Sequence, residues 1–163
     1  MNIEARIHQL TEILHKKIVV LEEILKTTTT QGNLIKSGLI DQLAKVIEEK
    51  QQYMNEINKL DSTFLEHYQM VKAHFNVQSI EMLDVRQYPA LVSLKQHATK
   101  VISILKQIEE LDRLNNEKFN AHFEALKQDM NKLRTEKQNK KILSSYGKKY
   151  THPQGVFVDN KDR

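Results

Sequence analysis

No cysteine occurs in the chain, so disulfides and thiolate metal sites are excluded; a reducing compartment is compatible with this. Tryptophan is also missing, aromatics make up 6% of the residues, and 163 positions hold only four glycines and two prolines. So few turn-formers leave little room for the frequent chain reversals of a β-protein and point to long helices. The apolar share, 39%, falls below the roughly 45–50% of a typical globular chain. A slender helical bundle, which has little interior to fill, accounts for that shortfall. No apolar run approaches the roughly 18 residues of a membrane-spanning helix, and the opening "MNIEARIHQL" carries charges where a signal sequence would be apolar. The expectation is a soluble intracellular protein of one domain size with no membrane insertion.

The net charge of +4 is unevenly placed. Residues 132 to 163 hold nine Lys or Arg against three Asp or Glu, which leaves 16 against 18 for residues 1 to 131. A slightly acidic body therefore ends in a basic segment.

Within the body, Ile3, Ile7, Leu10, Leu14, Ile18, Leu21 and Leu25 fall at alternating steps of three and four, one stripe of a helix. The run "TTTT" at 27 to 30 and Gly32 weaken this helix locally, but Leu34 and Ile35 resume the stripe, so it is expected to persist to about Lys36. Ser37-Gly38 supplies the stop. A second stripe, from Leu43 through Tyr53, Ile57, Phe64 and Tyr68 to Phe75, predicts a helix over about 39–75. Lys50 interrupts it, and must either snorkel or pair across the bundle. "SIEML" predicts a short helix over about 79–85 with Ser79 as its cap. Pro89 then opens a third helix reaching about Gln138, striped by Leu91, Leu94, Ala98, Val101, Leu105, Ile108 and Leu111. Asn115 and Asn116 sit where that stripe should continue, in the manner of a coiled-coil stutter.

The fold class expected is all-α: a long antiparallel three-helix coiled-coil bundle over 1–138 with a short connecting helix, followed by a basic tail, 139–163, that is non-helical or partly helical. The third helix outruns the second, so its last apolar positions, Phe119, Phe123, Leu126, Met130 and Leu133, are expected to lack cover and to mark a partner surface.

Chemistry is sparse. Glu12 and His15 have the Glu-x-x-His spacing of a metal-binding bundle, but such a site needs two of these pairs and the chain has one. His67 and His74 lie two helical turns apart, about 10 Å, too far to share an ion. No glycine-rich phosphate loop or nucleophile elbow occurs, and Glu48, Glu49, Glu109 and Glu110 fit solvated helix faces. Neither catalysis nor a cofactor is expected. In the basic end, Lys137, Lys140, Lys141, Lys148 and Lys149 with Tyr146 and Tyr150 offer three readings: a phosphate-gripping surface, a solubilising tail, or a protein-docking segment. The tyrosines and "GVFV" at 155–158 look more like anchors than a solvated tail needs, which favours docking.

Three stretches, taken together, resemble one family. They are "IKSGLIDQLAKVIEEKQQYMNEI" with its Gly-containing break and Glu49-Lys50-Gln51, "IEELDRLNNEKFNAHF" with Leu114-Asn115, and the tail "SYGKKYTHPQGVFVDNKD" with Phe157-Val158-Asp159. These are similar to the FlgN-type flagellar export chaperones, over essentially the whole chain. Where many members place a second Asn three residues after the first, this chain has Lys118, so a role for that Asn does not transfer. FliT-type chaperones share size and helicity, and the tail is the main feature separating the two.

The resemblance implies a cytosolic chaperone that binds hook-associated proteins of the hook-filament junction, shields their terminal helical segments, and delivers them to the flagellar type III export gate or ATPase components. It also implies that the surplus stripe, extended by Ile142 and Leu143, holds the client, and that Tyr146, directly before Gly147, docks on the gate, with Tyr150 a weaker second. The alternatives are a tail folded back on its own bundle, and a self-associating coiled-coil scaffold whose stripe is a homodimer interface.

Overall fold

A computed structural model describes residues 2 to 144. Among them are three long helices and no strand: α1 (Ile3–Ser37), α2 (Ile40–Phe75) and α3 (Ala90–Ser144). The chain divides into two compact units, Met1–Asn116 and Glu117–Arg163.

The helix ends follow from local chemistry. Asn2 caps α1 by accepting the Ala5 N–H on its side-chain oxygen at 2.7 Å. The far end closes on Gly38, whose φ of 71° is left-handed. There the Gly38 N–H donates to the Ile35 carbonyl and the Leu39 N–H to that of Leu34, so the reversal into α2 satisfies two otherwise orphaned carbonyls. Asn76, φ 52°, closes α2 in the same way, with N–H groups of Asn76 and Val77 donating to Ala73 and Lys72. Asparagine tolerates this conformation better than most residues do.

The run of threonines does not break α1. The Thr27 and Thr28 hydroxyls donate to the Ile24 carbonyl and that of Thr29 to Leu25, so the helix itself absorbs their polar groups. The short helix expected over 79–85 is only a 3₁₀ turn, Ile80–Met82. It closes at Leu83, whose backbone is already extended (φ −86°, ψ 144°), and the Asp84 carboxylate then accepts the Arg86 N–H at 2.9 Å in the turn that follows. Ala90 rather than Pro89 is the first residue of α3, with the Pro89 carbonyl accepting from Val92. The helix passes the expected end at Gln138 and reaches Ser144, since no Gly or Pro intervenes before Gly147.

In the first unit the helices run up, down and up. Cross-links between α1 and α2 pair early with late residues, Arg6 with His67, Lys17 with Asp61 and Gln31 with Lys50. Those between α1 and α3 ascend together, His15 beside His97 and Thr28 bonded to Asn115. The apolar cluster is built on α1, from Ile7 through Leu10, Leu14, Ile18 and Leu21 to Ile24, met by Leu91, Leu94, Val101, Ile104 and Ile108 of α3. From α2, Val71 joins that cluster, while Tyr53, Ile57, Phe64, Tyr68 and Phe75 are partly buried against it. A helix touched on two sides buries a wide arc, and α1 accordingly buries Ile13, Thr27 and Thr28 beyond its expected stripe.

Besides Thr27 and Thr28, two further polar residues bear on this interior, Asn115 within it and Lys50 at its edge. Lys50 pairs rather than snorkels: its ammonium meets Asp112 Oδ1 at 2.6 Å and Gln31 Oε1 at 3.3 Å, joining all three helices. Asn115 is 3% exposed and donates from Nδ2 to the Thr28 carbonyl at 2.8 Å. The stripe of α3 thus passes through Asn115 and not around it. Earlier on α3 the stripe is shifted by one residue from expectation, with Ile104 buried and Leu105 42% exposed.

Candidate client-binding seam

The second unit contains the C-terminal part of α3, and its described residues to Ser144 are helical. Phe119, Phe123, Leu126, Met130 and Leu133 follow one another at steps of four and three, which places them on one face. Phe119, Phe123, Leu126 and Leu133 are 45%, 56%, 58% and 64% exposed, and Met130 is half-buried. Large apolar side chains at such exposure, grouped on one face, form a continuous seam of the kind that pairs with another amphipathic helix.

The seam ends in charge. At the next two positions of the same spacing stand Lys137 and Lys140, so the apolar stretch is about two heptads long. Leu143 is exposed near the end of the helix and lies off this face. Of the other residues assigned to client contact or docking, the Ile142 side chain and Tyr146 lie outside the described residues, as does the rest of the tail from 145 onward.

The charged groups of the first unit follow ordinary surface chemistry. Arg113 donates twice to the Glu110 carboxylate, at 2.6 and 3.1 Å, and these bonds hold that carboxyl below the usual range. Burial, followed by the neighbouring Glu49 carboxylate, pushes the Tyr53 hydroxyl up. Among the described residues no three His, Cys, Asp or Glu side chains could hold a metal ion together. Nor is any described helix long and apolar enough to cross a membrane.

One apolar set went unremarked in the sequence. Ile40, Ile47 and Met54 of α2 are exposed and recur every seven residues, next to the packed positions Leu43, Lys50 and Ile57. The signal was present as a period of seven, overshadowed by the stronger stripe beside it.

No curated protein and no solved structure matches the chain. A protein-family model does, the one described as FlgN protein, over residues 1–153. That span covers all three helices, the seam and the start of the basic tail, and the chain therefore belongs to the FlgN family of flagellar export chaperones.

Proposed function

We propose that the protein is a cytosolic chaperone that binds the terminal amphipathic segments of hook-associated proteins of the hook-filament junction and presents them to the type III export apparatus. The observation that carries this reading is the uncovered seam from Phe119 to Leu133 in a member of a flagellar export chaperone family. A subunit that must polymerise outside the cell has helices that associate too early inside it. A helix offering a seam of phenylalanine, leucine and methionine satisfies such a segment without a fixed register, because methionine and phenylalanine adapt to varied partners. On this reading Tyr146 in the basic tail docks on the export gate, while Leu143, off the seam's face, takes no part in the client contact.

The test is stoichiometric binding of the full-length chain to a peptide spanning a junction protein's terminal helix, followed by calorimetry. Phe123→Asp and Leu126→Asp are expected to weaken binding at least tenfold, and Tyr146→Ala to leave peptide binding intact while abolishing recruitment to the gate protein. Unchanged affinity in both aspartate variants removes the seam from the reading, and no binding by the intact chain removes the function.

A further inference from the structure

The charges flanking the seam carry information of their own. In heptad terms, Phe119, Leu126 and Leu133 take the d positions and Phe123 and Met130 the a positions. The g positions along one edge then hold His122, Asp129 and Glu136, and the e positions along the other hold Asn120, Lys127 and Arg134. One edge is acidic and the opposite edge is basic.

That arrangement discriminates between partners. In a parallel two-stranded pair each g residue faces the e residue five places on in the other strand, whereas in an antiparallel pair g faces g and e faces e. When two copies of this helix run parallel, Asp129 of each meets Arg134 of the other, so both edges are attractive. Antiparallel copies would set acid against acid and base against base. A helix with one sign on both edges could not match itself in either direction. We propose that a second copy of the chain pairs with this seam, in parallel and in register, through Phe119, Phe123, Leu126, Met130 and Leu133, with Asp129–Arg134 pairs along both edges.

In the single chain the Arg134 guanidinium donates to Asn131 Oδ1 at 2.7 Å, an exposed contact that pairing would exchange for a carboxylate. Only about two heptads are apolar before Lys137 and Lys140 face their own copies, so the pair is weak and depends on concentration and salt. Resting on the function proposed above, self-pairing and client capture use the same side chains and exclude one another. The unloaded chaperone thereby covers its own exposed seam.

The full-length chain is tested by sedimentation equilibrium over a concentration series. A monomer–dimer equilibrium weakened by salt is expected. Asp129→Arg and Arg134→Glu should each weaken it on the order of tenfold, because each change makes both edges repulsive, and an equimolar mixture of the two should restore it. Lys137→Cys, the one cysteine in an otherwise cysteine-free chain, should oxidise to a disulfide-linked dimer, since a positions face each other only in a parallel pair. A monomer at every concentration, a dimer indifferent to both charge changes, or no disulfide at position 137 overturns the proposal. The junction-protein peptide separates this inference from the reading it rests on. Peptide binding by a chain that never dimerises leaves the chaperone function standing and sinks self-pairing, while a dimer that persists with peptide bound sinks the exclusion.

Discussion

Asn115 and Thr28, 87 positions apart in the chain, are joined across the bundle by a single hydrogen bond, side-chain amide to backbone carbonyl. Gly32 lies against the same side chain: a Cβ added there would collide with Asn115 Oδ1. The glycine in α1, the threonine before it and the asparagine in α3 therefore form one packed unit.

Gly32→Ala inverts the ordinary rule at this unit. In a helix interior alanine is favoured over glycine by about 1 kcal/mol, but here the collision is expected to make the variant less stable by about 1–3 kcal/mol. Urea denaturation of Gly32→Ala, Asn115→Ala and the double variant checks this. The double variant should lose less than the sum of the singles, because removing the asparagine side chain makes room for the new methyl group.

Lys50 and Asp112 should respond unequally to substitution. The lysine side chain is 12% exposed and the aspartate 42%, so Asp112→Ala strands an ammonium near the interior and is expected to cost about 1–2 kcal/mol. Lys50→Met removes the less exposed charge, leaves a carboxylate that water can reach, and should fall within about 1 kcal/mol of the parent. Equal losses in thermal melts of the two variants would contradict this account.

At Gly38 nothing lies within 4 Å of an added Cβ, so any penalty comes from the backbone alone. Gly38→Ala is expected to destabilise by about 1–2 kcal/mol, and Gly38→Asn by less, as Asn76 already adopts this conformation at the end of α2. Denaturation midpoints for the two variants provide the comparison.

For the seam, the expectation is binding loss without unfolding. Phe123→Asp and Leu126→Asp replace side chains already exposed, so chain stability should change by no more than about 0.5 kcal/mol. A large fall in melting temperature at concentrations where the chain is monomeric would mean that these side chains are covered within the single chain.

Glu110 supplies a pH-dependent contact. Arg113 lowers its carboxyl pKa, so the stabilisation is present above the unfolded carboxylate range and fades as pH falls through the lowered value. In Arg113→Ala the Glu110 resonance, followed by NMR titration, should move back up toward that of an ordinary glutamate. No movement would mean that the two bonds do not persist in solution.

Periodicity sufficed for the helices because an amphipathic stripe repeats its message every turn. Stripe positions from Ile7 to Leu21 are buried, and Gly38 reverses the chain where its lack of a Cβ predicts. Lys50 was legible as an anomaly but not in its outcome, since its partners Gln31 and Asp112 lie on other helices. Asn115 read as a lapse in the pattern for the same reason. Its burial depends on a carbonyl of α1 and on a glycine beside it, neither of which a reading along α3 alone can see. The seam was legible because five large apolar residues in fifteen positions exceed what a solvated helix face needs. The tail's tyrosines carry no comparable repeat, and lie outside the described residues.

Every member of the buried apolar cluster stands at or before Ile108, while the seam begins at Phe119. On the proposed reading, mutations in the seam that retune client choice should leave the scaffold's stability unchanged. A replacement helix grafted after Asn116, with a different order of large and small side chains, should redirect the molecule to other guests while the three-helix platform melts where it did before.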